Sequence, residues 1–273
     1  MNTNLIFLKL GGSLITNKTL RYSPRLDVIE QLVGEIKTAL KEMNDCSLLL
    51  GHGSGSFGHV AAKIHNTRNG VSSSEGWRGF AEVGYHAASL NLLIMGALQN
   101  VGLSAISFSP SATVIAQNGQ VISWNLNPIR SAINAGVIPV VHGDVVFDTH
   151  LGGTILSTED IFLHLARALH PQRILLAGIE EGVWTDYPTC NDIIPSITQK
   201  NWKILEPAIT GSAATDVTGG MASKVRQMLT LVHDYPNLEV FIFDGKQPSN
   251  VADALKGKPK GTRLQYSGDY NKP

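Results

Sequence analysis

The chain has 273 residues, 43% apolar and 16% charged, and its 22 Lys+Arg balance 22 Asp+Glu. The length can bury a sizeable core, and the apolar fraction with 27 glycines excludes a disordered or collagen-like chain. The zero formal net charge argues against nucleic acid or an anionic membrane as the main partner. Two cysteines, Cys46 and Cys190, cannot build a disulfide framework and fit a reducing compartment. No apolar run reaches the roughly 20 residues of a membrane span, and no leader with an apolar region and a cleavage site is evident. A cytoplasmic protein is expected.

The first apolar run, Asn4 to Leu10, stops at Gly11-Gly12-Ser13 and reads as a strand buried on both faces. Asp27 to Met43 has helical spacing through Val28, Ile29, Leu32, Val33, Ile36 and Leu40. Ser47 to Leu50 is a second buried strand. A polar Gly/Ser-rich stretch, Asn66 to Gly79, is expected to be a mobile loop. Glu82 to Val101 is a helix, Ser104 to Phe108 a short strand, and the pieces around Gly119 a small hairpin. Asn127 to Ala135 is a helix with Pro128 at a suitable first position. Val137 to Val141 is a strand and Asp160 to Leu169 a helix; Arg173 to Ala177, Val225 to His233 and Leu238 to Phe243 continue the alternation. Strands alternating with helices predict an α/β protein with a mainly parallel central sheet. A loose division falls near residue 170.

Ligands of parallel sheets bind at the carboxyl ends of strands. Three such ends carry glycine: Gly11-Gly12-Ser13, the run Gly53-Ser54-Gly55-Ser56-Phe57-Gly58-His59, and Gly143-Asp144. Glycine lets backbone approach a ligand closely, and consecutive N–H groups cradle an anion. A helix starting near His59 would add its positive end. Gly53, Gly55 and Gly58 fit G-x-G-x-x-G. The acidic residue a dinucleotide fold wants at the end of the next strand is missing, since Glu75 lies in a Ser/Gly loop. No G-x-x-x-x-G-K-[ST] and no close His/Cys cluster occurs.

Lysines stand beside these loops. Lys9 interrupts an apolar run that should be buried, and a buried ammonium needs an anionic partner. Lys18 lies five residues after Ser13, and Lys224 follows Thr218-Gly219-Gly220. Cations and backbone donors are what phosphoryl transfer needs, because its transition state spreads negative charge over the moving oxygens. An imidazole such as His59 can orient a phosphate monoester.

Lys9 to Ser13, the glycine loop, Gly143-Asp144, Ser157-Thr-Glu-Asp160 and Asp216 to Lys224 together resemble the amino acid kinase superfamily, in the right order and over nearly the whole chain. Within it, His52-Gly-Ser-Gly-Ser-Phe-Gly-His59, Lys9 to Lys18 and Leu90-Asn91 resemble the isopentenyl phosphate kinases. The resemblance implies one domain, a three-layer αβα sandwich, with residues 1–170 forming a phosphate-acceptor lobe and 171–273 a nucleotide lobe. It implies a homodimer that transfers a phosphoryl group from ATP, with Mg²⁺, to isopentenyl phosphate. Lys9, Lys18 and the backbone of Gly11, Gly12, Ser13 and Gly55 would stabilise the moving group. The N–H of Ser54, His59 and Gly143 would hold the acceptor phosphate, and Phe80 and Val83 its apolar tail. Gly219, Gly220 and Lys224 would bind ATP, and Asp160 would position Lys9 and Lys18. No protein metal ligands are assigned.

Two departures from the family pattern stand out. Ser54 replaces a glycine, which suits its N–H role only if its backbone angle accepts a Cβ. Gly178-Ile-Glu-Glu-Gly182 replaces Thr-Asp-Val-Asp-Gly in a loop that contacts nucleotide. Three alternatives follow: a kinase for another small phosphate or phosphonate such as fosfomycin, a nucleotide sensor without turnover, and, least supported, a nicotinamide oxidoreductase.

Overall fold

A computed structural model describes residues 4–43, 45–210 and 220–267. Its centre is β1 (Asn4–Leu10), whose side chains from Leu5 to Leu10 are all buried because sheet neighbours and helices cover both faces. Then follow α1 (Gly12–Ile15), α2 (Leu26–Glu42), β2 (Cys46–His52), α3 (Gly55–His65), α4 (Ser74–Asn100) and β3 (Ala105–Ser107). Next are α5 (Pro110–Thr113), β4 (Val114–Gln117), β5 (Gln120–Trp124), α6 (Asn127–Asn134) and β6 (Ile138–His142). β7 (Asp144–Asp148), β8 (Gly152–Leu156), α7 (Thr158–Leu169) and β9 (Arg173–Gly178) lead into the second half. That half holds β10 (Ser196–Ile197), α8 (Gln199–Thr210), α9 (Gly220–Asp234), β11 (Glu239–Asp244), α10 (Asn250–Leu255) and β12 (Thr262–Leu264).

Eight strands form one sheet in the order β10-β12-β11-β9-β1-β2-β6-β3. The six from β11 to β3 are parallel, and β12 runs antiparallel to β11. One face is covered by α2, α4 and α10 around Ile29, Leu32, Leu90 and Val251. The other is covered by α6, α7, α8 and α9 around Ile129, Phe162, Leu165, Trp202 and Val225. This is the αβα sandwich that the family resemblance implies. A second sheet, β5-β4-β7-β8, flanks the carboxyl ends of the main strands. Strand order reverses direction at β1, between β2 and β9, and such a switch point opens a crevice at the strand ends.

Two expectations change. The stretch expected to be a loop, Asn66 to Gly79, becomes helical at Ser74, because the Ser73 side chain accepts the Gly76 N–H and Trp77 and Phe80 pack on Phe147. The helix expected near His59 begins four residues earlier, at Gly55. Among the described residues, no helix is long and apolar enough to cross a membrane.

Candidate active site

The ends of β1, β2, β6 and β9 enclose a cleft of about 520 Å³, within the usual range for small-molecule sites. Two glycine loops meet at its floor. A Cβ on Gly12 would lie 2.5 Å from the Gly55 nitrogen, and one on Gly53 would lie 2.7 Å from the Gly12 nitrogen. Only glycine permits this approach. Thr16 clamps it: its Oγ1 donates to the Gly12 carbonyl at 2.7 Å and accepts the Ser56 N–H at 2.9 Å. The N–H groups of Gly12, Ser13 and Ser54 have no hydrogen-bond partner among the described residues, and all three residues line the cleft. They are a donor set waiting for an anion. Gly11 lines the cleft too, with its own N–H bound to the Ala177 carbonyl at 2.8 Å. Gly55 (φ +49°) sits behind, between the loops and Thr16.

Ser54 settles the first departure. Its φ of −78° and ψ of −13° are ordinary right-handed values, so a Cβ costs nothing there. Its side chain packs over Gly58, where any Cβ would lie 2.1 Å from the Ser54 Oγ.

The cations converge on one carboxylate. The Lys9 ammonium pairs with Glu159 Oε1, and Lys224 Nζ stands 3.7 Å from the same oxygen. Burial opposes the charged form of Glu159, but the ammoniums of Lys9 and Lys224 outweigh it and bring the carboxyl down to about 2. Lys18 is exposed on the loop after α1 and lines the cleft without an ion pair among the described residues. The expectation that Asp160 positions Lys9 and Lys18 is corrected. Asp160 closes the capping box of α7, accepting the Ser157 N–H and Oγ–H at 2.8 and 2.7 Å. Its other oxygen accepts from Gln227 at 2.6 Å, and Arg68 stands 3.5 Å away. Glu159, one residue earlier, turns into the cleft instead. The Ser-x-x-Asp pattern is itself a capping signal, and it would have left Glu159 as the site acid.

His59, Ser54, Gly143 and Ile155 line the cleft and also a recess of about 20 Å³ behind it, shared with Ala62, Arg68, Val83 and Asp144. The Gly143 N–H is committed to the His52 carbonyl at 3.2 Å, so Gly143 offers a ligand its bare Cα rather than a donor. Val83 reaches the recess; Phe80 packs beside Val83 and Val145 without lining either cavity. From the second half of the chain, Gly220 and Lys224 line the cleft with Ile179, Glu180, Trp184 and Tyr187. Trp184 Nε1 donates to Glu180 Oε2 at 2.8 Å, so the divergent loop has an acid of its own at the cleft. Gly219, with Asp216 to Thr218, lies outside the described residues.

Residues 4–244 match the model of the amino acid kinase family. The isopentenyl phosphate kinase of Methanocaldococcus jannaschii is 34% identical over 96% of this chain and 99% of its own length. That of Methanothermobacter thermautotrophicus is 34% identical over 95% and 98%. An X-ray structure of isopentenyl phosphate kinase superposes with a TM-score of 0.80 at 30% identity, over 95% of this chain and 99% of that one. Cations, bare amides and glycine loops meet where this family's motifs fall, and the chain belongs to the amino acid kinase family and, within it, to the isopentenyl phosphate kinases.

Proposed function

We propose that this phosphotransferase moves the γ-phosphoryl group of ATP onto the phosphate of isopentenyl phosphate. The observation that carries the reading is the meeting of Gly12, Ser13 and Ser54 N–H groups, unpartnered among the described residues, with Lys9, Lys18 and Lys224 around one cleft, in a chain of this family. An acceptor phosphate oxygen attacks the γ-phosphorus, the bond to the β,γ-bridging oxygen breaks, and ADP leaves with that oxygen and the electron pair. The acceptor's second pKa is about 6, so its oxygen is already ionised at neutral pH and needs no protein base. This agrees with a site whose buried cleft-lining acid among the described residues, Glu159, is tied to lysines. Catalysis then rests on charge stabilisation and alignment.

Lys9, Lys18 and the amides of Gly12 and Ser13 hold the moving phosphoryl group. His59 and the Ser54 N–H hold the acceptor, with Ala62, Val83 and Ile155 on its apolar side. Gly219, Gly220 and Lys224 serve ATP, with Trp184 and Tyr187 toward its base. Residues up to about 170 form the acceptor lobe and the remainder the nucleotide lobe. Among the described residues no group of three or more His, Cys, Asp or Glu could hold a metal ion. Magnesium would be carried on the ATP phosphates, as is usual for Mg²⁺, and no step is assigned to protein ligands. Leu92 and Leu93 on α4 and Ile106 on the edge strand β3 are exposed, and this apolar strip supports a homodimer. Free thiols at Cys46 and Cys190 support a reducing cytoplasm.

The test is an acceptor panel. Purified protein with Mg-ATP is offered isopentenyl phosphate, dimethylallyl phosphate, fosfomycin, acetylglutamate and UMP, and products are identified by mass. Fast conversion of the isoprenoid phosphates alone, abolished in His59→Ala, is expected. Preference for another acceptor would overturn the substrate.

A further inference from the structure

Behind the Ser54 amide lies a chain of buried polar groups. His52, at the end of β2, is fully buried. Its carbonyl accepts from Gly143 N–H at 3.2 Å and from Thr158 Oγ1 at 2.6 Å. Its ring Nδ1 lies 3.2 Å from the Gly53 carbonyl oxygen, and its Nε2 lies 3.1 Å from Asn91 Oδ1. The amide nitrogen of Asn91 donates to Ser107 Oγ at 2.8 Å. The equally buried ring of His142 stacks against His52 at 5.2 Å and 7°, fixing its plane.

Burial first, and the neighbouring His142 next, hold His52 down to about 3, so the ring is neutral and carries one proton. The Gly53 carbonyl can only accept, so that proton belongs on Nδ1. Nε2 must then accept, which calls for the Asn91 amide to be turned over from its orientation in the structure, with its NH₂ on Nε2 and its oxygen on the Ser107 hydroxyl. Amide oxygen and nitrogen are interchangeable in shape, and this arrangement gives the His52 ring nitrogens, the Asn91 amide and the Ser107 hydroxyl compatible partners.

The consequence reaches the cleft. In a trans peptide the C=O and N–H point in opposite directions. A Gly53 carbonyl held by the ring turns the Ser54 N–H away from it, to the side where Ser54 lines the cleft and its amide has no partner among the described residues. We propose that His52, seated by Asn91 and Ser107, is a positioning residue whose Nδ1–H locks the Gly53–Ser54 peptide with the Ser54 N–H facing the acceptor phosphate. This rests on the acceptor reading given above. His52 touches neither substrate and acts through Ser54.

Two substitutions separate this role from packing. An asparagine amide nitrogen occupies the place of Nδ1, and a glutamine amide nitrogen the place of Nε2. His52→Asn is expected to keep the acceptor KM within about threefold of the parent, while His52→Gln raises it about tenfold, the worth of one orienting hydrogen bond; the ATP KM stays unchanged in both. Packing alone predicts the reverse order, because glutamine fills the site better. Glutamine matching or surpassing asparagine would overturn the proposal. The unsubstituted protein supplies a second reading: ¹⁵N correlation spectra of the His52 ring should show a protonated Nδ1 and a bare Nε2, and protonation at Nε2 would overturn the proposal. That spectrum needs no acceptor. If the parent protein fails to phosphorylate isopentenyl phosphate, the substrate reading falls, and the spectrum still decides the role of His52.

Discussion

Lys9 and Glu159 form an ion pair in which both side chains are more than nine-tenths buried. A lysine near the carboxyl end of a core strand is thereby explained, and the same carboxylate reaches Lys224 on α9. Removing one partner of a buried pair leaves the other unpaired, at a cost of about 3–5 kcal/mol. Glu159→Gln should lose stability on that scale. It should lose kcat by about 10²-fold, since Lys9 is no longer aimed at the moving charge. Because the pKa of Glu159 is depressed in the folded state, its contribution is complete above the usual 4.5 and disappears as pH falls to about 2. Urea unfolding of parent and variant should therefore converge across that window.

The histidine stack gives a separate pH dependence. Burial holds His52 at about 3 and His142 at about 4, against the usual 6.5. Between those values and 6.5 the unfolded chain binds more protons than the folded one, so stability falls as pH falls. Tm should drop progressively below pH 6.5, and His52→Asn should drop less steeply.

Glycine positions should divide by contact. Gly12→Ala drives a Cβ to within 2.5 Å of the Gly55 nitrogen and should cost about 1–3 kcal/mol with a large loss of kcat. Gly34→Ala, in α2 with nothing within 4 Å of the added Cβ, should stabilise by about 0.4–1 kcal/mol and leave turnover unchanged. Thermal melts and steady-state rates on the pair check this.

Trp184 lines the cleft beside Glu180. ADP binding should change its fluorescence, and Trp184→Phe should abolish that change while the other three tryptophans remain silent. A titration with ADP reads this directly.

Much of the fold was legible because buried parallel strands carry unbroken apolar runs; β1, β2 and β9 are plain in the sequence. The small second sheet was less so. β7 and β8 are separated by a tight turn, and their alternation is masked by Asp148, whose carboxylate accepts backbone N–H groups from Asn118, Gly119, His150 and Leu151. In the site, glycines and lysines announced themselves through spacing. Asp160 misled because two adjacent acids open α7, and only the helix phase decides that one caps the helix while the other enters the cleft. The His52 chain was invisible, since tautomer and stacking depend on residues from β2, α4, β3 and β6 meeting in space.

The most direct measurement is ³¹P NMR of the protein with Mg-ATP and isopentenyl phosphate. The acceptor singlet should give way to two coupled doublets, with one ADP formed per acceptor consumed. An unchanged singlet, with ATP intact or hydrolysed to ADP and inorganic phosphate, would contradict transfer onto a phosphate acceptor at this cleft.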